Sequence, residues 1–144
     1  MTPPVLRHKL KIYYFTTIFS IIFSIVAFSY NAWRLEQSES NASARVAAFS
    51  MLSTLAEFEQ VVFANHYDHD QQRGNPRIGW GKVILLNDLA SLMSKQVIQA
   101  SQDLRDAWQH NWQHLPEQEI ALKVIEAKID QLRHAIKGDI KQLE

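Results

Sequence analysis

Cysteine is absent from this 144-residue chain, and glycine and proline are scarce, at four each. Without Cys there is no disulfide, no thiolate zinc site and no thiol nucleophile. No Gly or Pro stands between Val5 and Arg73. Nothing in that long stretch therefore forces a helix to break. Acidic residues are missing from the first 35 positions, and all 15 Asp and Glu come later. Catalytic signatures are also lacking: there is no Gly-rich phosphate loop, no nucleophile elbow and no HExxH zinc helix. Glu57 and Glu59 have no ExxH partner of the di-iron bundle type. The 15 Lys and Arg balance the acids to a formal net charge of zero, with no basic run of the kind that binds nucleic acid. The expectation is a non-catalytic protein that uses no cofactor.

What is present is a long apolar stretch. Residues 12–33, IYYFTTIFSIIFSIVAFSYNAW, contain no charge, His, Gly or Pro. As a helix, 22 residues reach roughly 33 Å, enough to cross a hydrocarbon core of about 30 Å. The ten Ile, Phe and Val between Ile12 and Phe28 favour insertion by roughly 3 to 6 kcal/mol. Tyr13 and Tyr14 stand at one end and Tyr30 and Trp33 at the other, where amphipathic rings prefer the two interfaces. Arg7, Lys9 and Lys11 precede the stretch; the other twelve basic residues and all 15 acids follow it, a formal charge of −3 on the far side. Positive flanks stay in the cytoplasm, so the N-terminus reads as inside and the C-terminal domain as outside. A bacterial inner membrane with a periplasmic domain fits this pattern. Thr17, Ser20, Ser24, Ala27 and Asn31 share one stripe of the span, a face on which a second helix could approach closely.

The chain divides into a basic tail (1–11), the span (12–33), a juxtamembrane linker or helix extension (34–43) and a helical domain (44–144). Ser38, Ser40, Asn41 and Ser43 make 37–43 the weak point of the continuous reading, because such residues favour caps. Beyond it, apolar residues recur at helical spacing. The first helix is expected over about 42–66, with Met51, Leu55, Phe58 and Val62 inward and Phe49 and Leu52 beside them. The second is expected over 80–94, starting at Trp80. A third, over 96–114, puts Ala100, Leu104, Trp108, Trp112 and Leu115 inward. The fourth, over 116–142, opens on Pro116 and carries the seam Leu122, Ile125, Ile129, Leu132, Ile136 and Leu143, which Asp139 interrupts. The fold class is all-α: one transmembrane helix and an up-and-down bundle of three to four helices. In outline this is similar to the extracytoplasmic bundles of bacterial membrane receptors and to small single-span envelope subunits.

Residues 66–81, HYDHDQQRGNPRIGWG, hold three of the four Gly and read as a long irregular loop. Arg forks beside aromatic rings bind carboxylates and phosphates. His66, Tyr67, His69, Arg73, Arg77 and Trp80 are thus candidates for holding a small anion or a partner. A metal is the second option: His66, Asp68, His69 and Asp70 cluster in sequence, and His110 and His114 at i, i+4 would face one way on a helix. The partners expected are the membrane and either another envelope protein or a second copy of the chain.

The competing reading of the span is a cleaved signal peptide, with Ala27-Phe28-Ser29 as the cleavage site. The apolar run exceeds the usual signal length, so the span should be retained. Intact mass of the protein purified from membranes should include residues 12–33; a mature chain starting at Tyr30 would identify a signal peptide.

Overall fold

The computed structural model describes residues 4–142, with side chains from Lys9 onward, and holds four helices and no strand in that range. Arg7's side chain and Leu143 lie outside the described residues. α1 spans Pro4–His66, α2 Pro76–Ala90, α3 Lys95–Asn111 and α4 Glu119–Gln142. The chain separates into two units, Met1–Ser40 and Asn41–Glu144. α1 contributes to both.

In the first unit, α1 carries the apolar stretch. From Lys9 to His66 it is long and apolar enough to include a membrane crossing, and none of its most apolar window is buried by the rest of the chain. Exposures run from 51% at Ile12 to 75% at Phe28. The stretch at 37–43 is helical. Its Ser and Asn residues carry a modest propensity cost, which no Gly or Pro compounds.

In the second unit, four helix segments surround one core. Glu57 pairs with Lys82, and the Asn65 amide donates to Gly74 O at 2.9 Å, so α1 lies antiparallel to α2. Gly79 meets Trp108, and the Asn87 amide reaches Ser101 O at 3.2 Å; α2 and α3 are antiparallel too. Lys128 reaches Asp103 at 3.3 Å while Ser94 meets Asp139, so α4 returns along α3. Arg133 bonds Glu59 at 2.6 Å and closes the ring from α4 back to α1. The sequence of directions is up, down, up, down.

The periodic residues behave as their spacing requires. Met51, Leu55, Phe58 and Val62 are fully buried, as are Ile125, Ile129, Leu132 and Ile136, with Leu122 nearly so. Phe49 is exposed and Leu52 partly buried. Trp108 is fully buried and takes Phe58 edge-to-face, with centroids 5.1 Å apart and planes at 79°. Aromatic pairs in that geometry add about 0.5–1.5 kcal/mol beyond burial. Trp112 differs from expectation: it caps the C-terminus of α3 and is only half-buried.

Three boundaries also differ from the sequence reading. α2 begins at Pro76, not Trp80. Asn75 is extended, at ψ 123°, and its side chain accepts the Arg77 N–H at 2.9 Å. The Asn-Pro pair is thus an N-cap followed by proline at the first helical position, not a loop interior. At the other end, α2 stops at Ala90 and Ser94 caps α3. α3 stops at Asn111, and Pro116 lies in a run of turns before α4 starts at Glu119. Leu115 is fully buried, so this turn is drawn into the core and cannot continue either helix.

Asp139, the break in the α4 seam, is a tie. It is 7% exposed; its Oδ2 accepts the Ser94 N–H at 2.9 Å and its Oδ1 the Ser94 hydroxyl at 2.7 Å. The carboxylate therefore fixes the α2–α3 turn to the last turns of α4, and charged hydrogen bonds of this kind contribute roughly 1.5–3 kcal/mol.

Two helical glycines offer a control for a third. A Cβ at Gly79 would run into the Trp108 ring, whereas Gly81 and Gly138 face open space. Gly81→Ala and Gly138→Ala should each stabilise the protein by about 0.4–1 kcal/mol. Gly79→Ala should destabilise it by about 1–3 kcal/mol through overpacking. Thermal or urea unfolding measures all three, and a stabilising Gly79→Ala would mean that Trp108 is not seated against α2.

Candidate functional site

The segment joining α1 to α2 is nine residues, 67–75, because Arg77, Ile78, Gly79, Trp80 and Gly81 belong to α2. It is tightly bonded. The Asp70 N–H donates to Ala64 O at 2.9 Å, and Gly74 N–H to Asp70 O at 2.8 Å. Asp70 Oδ1 accepts the Gln72 and Arg73 N–H groups at 2.9 and 3.0 Å, and its Oδ2 takes Arg73 Nε at 2.7 Å. This is the Asx turn that Asp side chains favour. Gly74 is buried against the Asn65 backbone, where a Cβ has no room. His69 adopts φ 50°, the one non-glycine left-handed residue among those described.

The candidate anion-binding residues are distributed as follows. Arg73 is held by Asp70 and lies 3.5 Å from Asp68. Two carboxylates thus already meet its charge. Arg77 is exposed on the first turn of α2. Trp80 is half-buried against the core cluster. Tyr67 is exposed, and the His66 ring stands edge-on to it at 4.8 Å. His66 donates its Nδ1–H to Leu115 O at 2.6 Å, tying the end of α1 to the α3–α4 turn. His69 lines a small cavity of about 170 Å³ with Asn65, Asp70, Gln71 and Pro116.

The metal candidates do not converge. Among the described residues no group of three or more His, Cys, Asp and Glu comes together to hold an ion. The His110–His114 argument needs one continuous helix, but α3 ends at Asn111, so His114 lies in the turn beyond it. His110 instead donates its Nδ1–H to Asp106 O at 2.7 Å. Of the sequence cluster, Asp70 serves as acceptor for Gln72 and Arg73, Asp68 pairs with Arg73, and His66 is held by the Leu115 carbonyl.

On the apolar part of α1, Thr17 Oγ1 bonds Tyr13 O at 2.7 Å and Ser24 Oγ bonds Ser20 O at 2.8 Å. The hydroxyls are thus satisfied within the helix and leave a small-residue surface. Thr17, Ser20 and Ser24 line one shallow groove of about 450 Å³. Asn31 lines another, with Phe28, Arg34 and Leu35. Ala27 is partly covered.

Sequence reasoning missed the cross-helix ion pairs Glu57–Lys82 and Glu59–Arg133. Both acids flank Phe58, on the shoulders of a buried stripe, and that is where a cross-helix partner can reach them. Glu57–Lys82 also forms part of a cleft between α1 and α2, of about 480 Å³, whose mouth includes Asp68 and Arg73. No family model matches the chain, and no curated protein or solved structure matches it.

Asp70 is half-buried, and Arg73 and the two N–H groups lower its pKa from the usual 3.8 to about 2. The sign follows from linkage. The native turn binds the ionised form, so its contribution is complete above the unfolded pKa and is lost as pH falls toward 2. A carboxyl-detected NMR titration should place the Asp70 midpoint near 2, and Asp70→Asn should remove the acid sensitivity of the Gln72 and Arg73 amides. A midpoint near 4 would mean that the turn is open in solution.

Proposed function

We propose that this is a single-pass membrane protein with its N-terminus in the cytoplasm and a periplasmic helical domain, acting as a non-catalytic binding module of an envelope complex. The observation that carries the reading is the uncovered apolar part of α1. Large apolar side chains from Ile12 to Trp33 lie half to three-quarters exposed. An apolar face of that size has to be covered by lipid or by another protein. The orientation rests on Lys9 and Lys11, with Arg7, before the span and on the acids that all follow it.

The binding role rests on economy of construction. The domain has a filled core and inter-helix ties, so its outer faces are what it offers a partner. The small-residue face of Thr17, Ser20, Ser24, Ala27 and Asn31 is the proposed contact within the membrane. The alternative of a small anion held by residues 66–81 is the weaker reading, because Arg73 stands between the carboxylates of Asp68 and Asp70, which would face the bound anion.

A reporter fused after Glu144 should be active only outside the cytoplasm, and replacing Arg7, Lys9 and Lys11 by Ala should erode that bias. A photo-crosslinker at Ser20 or Ser24 should capture one defined species in native membranes, either a partner or a second copy. Ser20→Leu with Ser24→Leu should reduce the yield. A cytoplasmic reporter would sink the topology. Crosslinking that is diffuse and indifferent to the Leu pair would sink the proposed contact face.

A further inference from the structure

The cleft between α1 and α2 has a composition that selects for one kind of small molecule. Its volume, about 480 Å³, falls in the range of ligand pockets. Its apolar side is formed by Val61 and Ala64, both nearly buried on α1, by the partly buried Phe63, and by Ile78 on α2, which is 42% exposed. Its polar side carries charges of both signs. Glu57 and Lys82 face each other across the two helices, and Asp68 and Arg73 do so across the loop. The Gln60 amide adds a neutral group.

These charges discriminate among ligands. The lining charges are two carboxylates and two cations, a net of zero, and Asp70 holds Arg73 from outside the cleft. A simple anion would have to separate a cation from its carboxylate and leave that carboxylate facing it. A simple cation would leave Lys82 or Arg73 facing a like charge. A dipolar ligand meets both signs at once. Exposed ion pairs contribute only about 0–1 kcal/mol each, so exchanging them for contacts with a ligand costs little. An alkyl group on the same ligand would cover Ile78 and the Val61–Ala64 floor and remove that surface from water.

We propose that this cleft binds a zwitterionic aliphatic amino acid, with its carboxylate at Lys82 and Arg73, its ammonium at Glu57 and Asp68, and its side chain on Ile78. The cleft lies wholly within Asn41–Glu144, so the proposal does not rest on the membrane reading, and its failure would leave that reading untouched.

The test uses the full chain in nanodiscs of neutral lipid, followed by calorimetry and by NMR of labelled Ile and Lys side chains. The probes are L-leucine, isovalerate, which lacks the ammonium, isoamylamine, which lacks the carboxylate, and inorganic phosphate. Leucine should bind and shift the Ile78 and Lys82 signals. Each half-ligand, and phosphate, should bind at least about ten-fold more weakly, since each leaves one charge-assisted contact unmade. Lys82→Gln and Glu57→Gln should both weaken leucine, and Glu57→Gln alone should gain affinity for isovalerate. Circular dichroism and the unfolding midpoint of both variants should match the parent, because the pair they break is partly exposed. No response to leucine up to its solubility limit would overturn the proposal. So would leucine binding that survives both variants, or phosphate binding as tightly as leucine.

Discussion

Trp108 is the side chain around which the four-helix unit closes. It is the largest fully buried residue, it meets Phe58 of α1 edge-on, and its ring occupies the space that a Cβ at Gly79 of α2 would need. Burial on this scale contributes several kcal/mol. Yet its Nε1–H has no hydrogen-bond partner among the described residues, and an unmet buried donor costs about 1–3 kcal/mol. The net gain comes from the shape of the contact, which explains why glycine is tolerated inside α2 despite its poor helix propensity. The distance between α2 and α3 at this level follows from one missing methyl group.

From that point the bundle is held toward its two ends by polar ties. At one end, His66 bonds the Leu115 carbonyl and Asn65 bonds Gly74. At the other, Asp139 bonds both donors of Ser94. Between them, Glu57–Lys82, Glu59–Arg133 and Asp103–Lys128 run around the outside. Partly exposed pairs add little energy each. Their effect is on register, since a one-residue slide of any helix would separate them. A chain without disulfides holds its helices in phase by such contacts.

Most of the architecture was legible from spacing. The stripes on α1, α3 and α4 fall on the buried face because a helix has one period and one apolar side, and Met51 to Val62 and Leu122 to Ile136 obey it. The errors arose where one residue type has two uses. Asn75-Pro76 serves equally as a turn or as a helix start, and only the Asn75 cap decides. Gly79 signals a loop in isolation, but beside Trp108 it is a packing residue. His110 and His114 looked paired because the end of α3 depends on Leu115 entering the core, which no local pattern announces. Asp139 was visible as a break in the seam, but its partner Ser94 lies 45 residues away. As for the site, the sequence singled out Arg73 and Asp68, whereas Glu57 and Lys82 join them only through the pairing of α1 with α2.

The alternating directions of the four helices carry a kinetic consequence. α3 packs beside α2 and α4 beside α3, and α2 is tied to α1 by Glu57–Lys82 and Asn65–Gly74, with connections of nine residues or fewer. Closing loops that short takes on the order of 10–100 ns, and helical chains with mostly local contacts fold within microseconds to milliseconds. The non-local step is the docking of the 41–66 segment onto α4, which must wait for the C-terminal half of the chain. Neighbouring pairs, α1 with α2 included, can therefore form early, and the closing of α4 against the 41–66 segment then completes the core. Until that step, the apolar faces of both remain open to other chains, so the time a newly made molecule spends with that seam unclosed sets its exposure to aggregation.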